Sequence, residues 1–258
     1  MTDFLDTLAA DAQATVKSGY YARTASSMHV SASLQSAILQ NTKNPVISEV
    51  KGKSPSRGTI KSHFDPGKIA QAMARGGAVG ISVLTEPKHF KGSLSNLTRV
   101  RESVSVPVLM KDIVVNPLQL EAASKVAANV VLLIQAVFDR GYCALELGEM
   151  VAKAHSKNLE VLLETHTMDE FARAMETEAD LVGINNRSLG TLKVDLNVTK
   201  RILKRNAANG KIVVSESGIC TFADLCFLRE CGAQAFLIGS AVMLADDVEA
   251  KVSEFVNA

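Results

Sequence analysis

Apolar residues recur in short, nearly unbroken runs along most of the chain. Eight runs rich in Val, Ile and Leu follow one another at intervals of about 20 to 35 residues, the length of one strand plus one helix. They lie at positions 45–50, 79–84, 106–110, 129–134, 159–164, 180–184, 211–215 and 234–238. Most are apolar throughout, which is typical of parallel strands that are covered on both faces. The pattern therefore predicts eight buried strands.

The stretches between these runs have the periodicity and end signals of amphipathic helices. An Asp-Pro or Asn-Pro pair, or a Thr followed three residues later by an acid, marks a helix start. Such signals occur at residues 65–66, 116–117, 167–170 and 221–224. The first of these helices is expected to end at Gly76-Gly77.

Eight strand–helix units in succession favour a closed (β/α)8 TIM barrel over an open doubly wound sheet, which rarely needs so many even repeats. Residues 1–44 precede the first strand and are predicted to be helical in two pieces, broken near Gly19-Tyr20-Tyr21. We interpret them as an N-terminal helical extension packed on a barrel of residues 45–258. No linker-like segment divides the chain, so the sequence predicts one domain of 258 residues.

Composition and charge narrow the function classes. Lys and Arg total 28 against 27 acidic residues, so a basic surface for nucleic acid is not expected. The apolar runs are too short to span a membrane, and the acidic N-terminus does not resemble a signal peptide. The four cysteines show no C-x-x-C spacing, which is typical of free thiols in a reducing compartment. We therefore expect a cytoplasmic protein without membrane or nucleic-acid partners.

The first candidates for catalytic residues are the charged residues at the ends of the apolar strands. In a TIM barrel the active site is built at the carboxyl ends of the strands. Lys51 and Lys111 come just after the first and third runs. Glu49 lies within the first run, and Glu164 lies at the end of the fifth. A lysine beside carboxylates in a partly desolvated pocket is suited to general acid–base catalysis. A structural ion-pair network lining the barrel mouth is the alternative for the same residues.

Small residues after the last two strands indicate a phosphate site. Ser217-Gly218 and Gly239-Ser240 each precede a predicted helix, at the two loops where such barrels commonly bind phosphate. Glu164 and His166 could contribute metal ligands, but no further cluster completes a metal site, and no dinucleotide fingerprint follows a strand. The residues alone thus predict cofactor-free and metal-free acid–base chemistry on a phosphorylated small molecule.

Six stretches at these strand ends resemble the indole-3-glycerol phosphate synthase family. They are EVKGKSPSRG at 49–58, SVLTE at 82–86, FKGSL at 90–94, PVLMKD at 107–112, GINNRSL at 183–189 and VSESGI at 214–219. The likeness covers about residues 45–245. It implies the closure of the indole ring in tryptophan biosynthesis, without metal or organic cofactor. The implied substrate is 1-(2-carboxyphenylamino)-1-deoxyribulose 5-phosphate, which yields indole-3-glycerol phosphate, carbon dioxide and water.

The resemblance also implies roles for individual residues. Lys111 is implied to protonate the substrate ketone, while Glu164 either stabilises positive charge at the anilino nitrogen or acts as a base. Lys51 is implied to pair with the substrate carboxylate and to serve as an acid in dehydration, with Glu49 as its base partner. The sequence leaves open which residue carries the dehydration proton.

Binding residues follow from the same resemblance. Asn185 and Arg187 are implied to orient the substrate, Glu216 to bind it, and Ser54 to support the loop after the first strand. Leu84 and Phe90 are implied to form the wall against the anthranilate ring. The implied phosphate ligands are Lys53, Ser217, Gly218, Gly239 and Ser240. Contact with other enzymes of the tryptophan pathway is a further expectation.

Two departures from the family pattern concern regions outside the charged set. The third strand continues as Ile113-Val114-Val115-Asn116, where the family more often has a Phe and an Asp. Residues 28–44 lack the basic and proline-containing pattern that the family has before its first strand, which puts substrate affinity in question.

Two other functions remain as alternatives. A phosphoribosylanthranilate isomerase would be expected to use a Cys and an Asp at strand ends, which fits Lys51, Lys111 and Glu164 poorly. A catalytically silent barrel that serves as a scaffold predicts that the charged strand ends are dispensable.

Overall fold

Eight parallel strands close into a barrel in a computed structural model that describes residues 3–23, 31–54, 58–61, 63–205 and 210–258. Each strand pairs with its neighbours along the chain, and the last pairs with the first through the register Val46 to Phe236. The strands are β1 (Val46–Val50), β2 (Gly80–Leu84), β3 (Val108–Lys111), β4 (Val130–Ile134), β5 (Glu160–Thr165), β6 (Leu181–Asn185), β7 (Ile212–Glu216) and β8 (Ala235–Ile238). The predicted TIM barrel is confirmed.

The apolar runs are buried on both faces of the sheet, as their lack of alternation indicates. Side chains such as Val131 and Leu163 point outward into the layer between strands and helices. Side chains such as Leu132 and Leu162 point inward and fill the barrel. The two cores explain why the strands read as continuous apolar sequence.

Four strands, β3, β5, β6 and β7, continue toward the barrel mouth beyond their apolar residues. Lys111, Glu164 and Glu216 are inside strands, not after them, because backbone pairing continues through registers such as Leu84 to Lys111. An inward-pointing polar side chain does not interrupt the ladder. The third and fifth strands therefore end one residue later than the apolar runs predict, at Lys111 and Thr165.

Helices cover the outside of the barrel, and their predicted caps are mostly confirmed. Asp65 caps α3 with Pro66 at the first helical position, and Asn116 caps α5 in the same way. The barrel helices are α3 (Pro66–Arg75), α4 (Leu94–Arg101), α5 (Pro117–Lys125), α6 (Gln135–Asp139), α7 (Leu147–His155), α8 (Met168–Met175), α9 (Asn197–Leu203), α10 (Phe222–Glu230), α11 (Ser240–Met243) and α12 (Val248–Val256). At α8, Thr167 caps the backbone of Glu170, but the Glu170 carboxylate accepts from the backbone of His166.

The segment before β1 places one helix at each end of the barrel. It comprises α1 (Phe4–Lys17), a short 3-10 helix (Tyr20–Arg23) and α2 (Leu34–Leu39). The α2 N-terminus contacts Glu160 at the start of β5, so this helix lies at the base. The α1 helix lies across the mouth, where Arg140 pairs with Asp3 and Asp6.

Polar contacts fix the second side of α1 as well. Asp11 accepts a hydrogen bond at 2.8 Å from Lys88 and pairs at 2.8 Å with His89, both in the loop after β2.

Among the described residues, no helix is long and apolar enough to cross a membrane.

Candidate active site

A cavity of about 480 Å³ opens at the carboxyl ends of the strands. All eight strands contribute to its wall, which is where the sequence analysis placed the chemistry. Residues of α1 close one side of it.

Every second strand delivers a charged side chain to the layer at the mouth. Glu49 of β1, Lys111 of β3, Glu164 of β5 and Glu216 of β7 all line the cavity. Inward-pointing residues of alternate strands share a layer in this fold, so the odd-numbered strands bring these four groups to one level. On β6, Gly183 makes room, since a Cβ there would lie 2.3 Å from an oxygen of Glu216.

Lys111 lies between two carboxylates. Its Nζ is 3.0 Å from Glu164 Oε2 and 3.3 Å from Glu216 Oε2. Burial disfavours the ammonium, but Glu164, Glu216 and Glu49 outweigh burial and hold the lysine pKa well above its ordinary value. Lys111 is therefore a charged acid that faces the cavity.

The two carboxylates beside Lys111 differ in charge. Burial raises the pKa of each, but Lys111, His166 and Asn185 outweigh it at Glu164 and hold that pKa well below its ordinary range. At Glu216, burial and the negative charge of Glu164 outweigh Lys111 and raise the pKa to about 8. At neutral pH Glu164 is consequently ionised, while most Glu216 side chains hold a proton.

Glu216 is also poorly satisfied. It is 1% exposed, and neither carboxylate oxygen makes a hydrogen bond of good geometry with any residue in the described part of the chain. Its charged neighbour is Lys111, 3.3 Å away, and a buried carboxyl that lacks well-formed hydrogen bonds beside a cavity is available to a ligand.

A second lysine–glutamate pair comes from β1 and the residue that follows it. Lys51 Nζ lies 2.6 Å from Glu49 Oε1, and both side chains line the cavity. Gly239 after β8 leaves the space for them, because a Cβ there would lie 2.5 Å from Glu49 and 2.8 Å from Lys51. The pair is a second place at which a proton can be exchanged.

Asn185 ends β6 and Arg187 follows it on the same wall. Asn185 Oδ1 accepts from the backbone of Arg187 at 3.0 Å, and Arg187 Nη1 donates to the carbonyl of Leu192 at 3.1 Å. The buried Asn186 between them donates to Ser215 and to the backbone of Glu216, so it ties the end of β6 to the end of β7.

The end of the cavity between β7 and β8 has a backbone suited to an anion. Ser217 and Gly218 both have positive φ, 65° and 89°. A positive φ is uncommon for serine. Gly239 and Ser240, at the start of α11, line the same cavity, and no side chain caps that helix.

Apolar residues form the rest of the wall. Leu84 and Phe90 line the cavity beside Leu132 and Ile134 of β4. Glu86 holds the loop that carries Phe90, because its carboxylate accepts from the backbone of residues 88, 89 and 90 at 2.7 to 3.0 Å. This wall matches a flat hydrophobic ring better than a sugar.

Most of the sequence-predicted site residues meet in this one cavity. They are Glu49, Lys51, Leu84, Phe90, Lys111, Glu164, Asn185, Arg187, Glu216, Ser217, Gly218, Gly239 and Ser240. Lys53 does not line it; Lys53 and the backbone of Ser54 form a short antiparallel pair with Gly58–Thr59 after β1. The side chain of Ser54 and residues 55–57 of the same motif lie outside the described residues, so the role expected of Ser54 stays a prediction.

Sequence reasoning missed several contributions to the site. Phe4 and Leu8 of α1 line the cavity, although nothing in the sequence of α1 sets them apart from core residues. His166 was weighed only as a metal ligand, yet its Nε2 lies 3.3 Å from Glu164 Oε1. Ile113, where the family more often has another residue, lines the cavity and keeps it apolar.

In the described residues, no group of three or more His, Cys, Asp or Glu side chains is arranged to hold a metal.

Fold and site together define a (β/α)8-barrel enzyme with acid–base groups at its mouth. A family model described as indole-3-glycerol phosphate synthase matches residues 5–255. The chain belongs to that family.

Curated relatives with this name agree. The protein from Methanocaldococcus jannaschii is 43% identical over 216 residues, which are 83% of this chain and 78% of the relative. That from Dehalococcoides mccartyi strain CBDB1 is 43% identical over 214 residues, 82% and 81% of the two chains. That from Haloarcula marismortui is 40% identical over 219 residues, 84% and 79%.

Solved structures of lower similarity share the fold alone. An N-acetylmannosamine-6-phosphate 2-epimerase from Clostridium perfringens is 17% identical, with a TM-score of 0.59 over 84% of this chain and 93% of that one.

Proposed function

We propose that this chain carries out the reaction of its family at the barrel mouth, with Lys111 as the acid at the substrate ketone. The family's substrate is 1-(2-carboxyphenylamino)-1-deoxyribulose 5-phosphate, and ring closure releases carbon dioxide and water. The observation that carries the proposal is the Lys111 ammonium, held between Glu164 and Glu216 and facing the cavity.

In the first step the ring carbon that bears the carboxylate attacks the ketone carbon. The ketone oxygen takes a proton from Lys111 and becomes a hydroxyl. The anilino nitrogen becomes positive as the new bond forms, and ionised Glu164 stabilises that charge. Loss of carbon dioxide then returns the electron pair to the ring and restores its aromaticity.

Dehydration completes the indole. We assign Lys51 as the acid that protonates the departing hydroxyl, and Glu49, 2.6 Å away, as the base that takes up a proton. In the starting complex Lys51 also pairs with the substrate carboxylate. The two lysines thus serve two successive acid steps.

The remaining residues bind and orient the substrate. Ser217, Gly218, Gly239 and Ser240 are proposed to hold the phosphate through backbone N–H groups and hydroxyls, with Lys53 adding charge and Ser54 supporting the loop. Leu84 and Phe90 are proposed to cover the anthranilate ring. Asn185, Arg187 and Glu216 are proposed to orient the chain of hydroxyl groups between ring and phosphate.

The test is to mix the purified protein with this substrate, without added metal or cofactor, and follow the fluorescence of the indole product together with released carbon dioxide. We expect both signals in equal amounts. Tight binding of the substrate with no product would favour the catalytically silent barrel, and absence of binding would contradict the substrate.

We also propose that the reaction takes place in the cytoplasm and that this chain contacts other enzymes of the tryptophan pathway. Nucleic acid is not proposed as a partner, because 28 basic residues balance 27 acidic ones. Co-purification of tagged protein from cell extract with other pathway enzymes tests the contact.

A further inference from the structure

His166 is a charged side chain beside the acid–base layer to which the mechanism above gives no role. It follows β5 directly and lies behind Glu164, with Nε2 3.3 Å from Glu164 Oε1. Lys111 approaches the other oxygen, Oε2, at 3.0 Å. Glu164 is therefore held from two sides by two cations.

The far side of the imidazole is also fixed. His166 Nδ1 lies 3.5 Å from Glu170 Oε2, and the same oxygen accepts the backbone N–H of His166 at 2.8 Å. Glu170 belongs to α8, whose first turn is capped by Thr167. The ring is thus placed by the start of a helix and not by the substrate.

The environment favours the charged imidazolium. Burial opposes the charge, but Glu164 and Glu170 outweigh it and raise the pKa of His166 to about 9. The side chain is 12% exposed, and within the described chain neither ring nitrogen makes a hydrogen bond of good geometry. The contact between His166 and Glu164 is consequently electrostatic. The distance between them can shorten when Lys111 no longer balances the negative charge of Glu164.

Such an imbalance arises in the proposed reaction. When Lys111 gives its proton to the substrate ketone, Glu164 loses its nearest counter-ion at the moment it must stay negative. We propose that His166 is a positioning residue that keeps Glu164 oriented and ionised while Lys111 is neutral. This inference rests on the roles proposed for Lys111 and Glu164.

The groups that face the pair define what else could titrate with it. Around His166 these are Glu164 from β5 and Glu170 from α8, and beyond Glu164 they are Lys111 from β3 and Glu216 from β7. Removing the imidazolium takes away a positive charge that lowers the pKa of Glu164. The acidic limb of the rate profile, which reports ionisation of Glu164, should lie below the ordinary carboxyl range in the wild type and move up toward that range in a variant without the imidazolium.

The experiment compares His166→Gln with the matched control His155→Gln. His155 pairs with Asp180 at 2.9 Å away from the cavity, so its loss tests the removal of a histidine–carboxylate pair as such. For His166→Gln we expect kcat to fall about tenfold with KM within about twofold, and the acidic limb of kcat/KM to shift upward. His155→Gln should keep the wild-type kcat and pH profile.

An acidic limb that stays at the wild-type pH in His166→Gln would overturn the proposal, even if kcat fell. Should that variant not fold, Glu170→Gln gives the second test, because it weakens the charge on the imidazole and should shift the same limb less. An unshifted limb there would also be a contradiction. Inactive wild-type protein would instead refute the proposed function, so the two failures are distinguishable.

Discussion

Strand β5 carries a glutamate at each end, and the two have opposite surroundings. At the base, Glu160 accepts hydrogen bonds from the Ser33 hydroxyl and from the backbone of Leu34 at 2.8 Å and Gln35 at 3.3 Å. At the mouth, Glu164 faces a cavity and is matched by the cations Lys111 and His166. The Glu160 carboxylate caps helix α2, whereas the Glu164 carboxylate faces the cavity.

The difference separates structural polar groups from those kept for chemistry. At the base, Asn129 likewise accepts from Arg101 at 2.8 Å and from the backbone of Val108 at 3.0 Å. At the mouth, Glu216 stays buried with no hydrogen bond of good geometry from the described residues. The hydrogen bonds of Glu160 and Asn129 stabilise the fold, whereas burial of Glu216 without such hydrogen bonds lowers its stability and leaves the carboxyl available to a ligand.

The largest effect is expected from Lys111→Ala. The variant loses the acid at the ketone, so kcat/KM should fall roughly 10²-fold or more while thermal unfolding stays cooperative. Lys157→Ala is the control, because Lys157 pairs with Glu121 at 4.0 Å away from the cavity. Turnover of Lys111→Ala within about twofold of the wild type would contradict the mechanism.

A smaller, more selective effect is expected from the two helices of the N-terminal segment. Leu8 on α1 and Leu34 on α2 are each 1% exposed, but only Leu8 lines the cavity. Replacement by Ala should destabilise both variants by about 2–5 kcal/mol in denaturant unfolding. Leu8→Ala should in addition raise KM about fivefold through lost contact with substrate. Equal KM values in the two variants would remove α1 from the binding site.

The smallest effect concerns stability and pH at Glu216. Its pKa is raised to about 8 in the folded protein, against about 4.3 in unfolded chains. The proton therefore stabilises the fold below the unfolded value, and this contribution is lost as pH rises through 8.

Glu216→Gln removes that contribution. The Tm of the wild type minus that of Glu216→Gln should fall by about 3 °C or more between pH 5 and pH 9 in thermal unfolding. A constant difference over this range would mean that Glu216 is ionised in the fold.

The fold could be predicted almost completely from the sequence, for a physical reason. Strands buried on both faces leave an unambiguous apolar run, and Asp65-Pro66 and Asn116-Pro117 mark helix starts chemically. The ends of the strands are harder to predict. Lys111 and Glu164 have polar side chains, although their backbones are still paired with neighbouring strands.

The site was predictable only where it depends on position along a strand. The carboxyl ends of the strands form the mouth of every such barrel. The positions of Lys51 and Lys111 along the chain are therefore enough to place them at the mouth. Phe4 and Leu8 reach the cavity through the docking of α1, and a helix alone does not reveal where it docks. The task of His166 depends on a contact between side chains, which spacing does not encode.

The most direct test of this account compares Glu164→Gln with Glu160→Gln, measuring kcat/KM and the free energy of unfolding for each. We predict that Glu164→Gln lowers kcat/KM roughly 10²-fold. The variant should also lose stability at neutral pH, because the fold lowers the pKa of Glu164 and because Lys111 and His166 lose the carboxylate they share. Glu160→Gln should keep the wild-type kcat/KM and lose about 1–3 kcal/mol of stability, since it weakens the cap of α2. Wild-type activity in Glu164→Gln, or a similar loss of activity in both variants, would contradict the division between mouth and base.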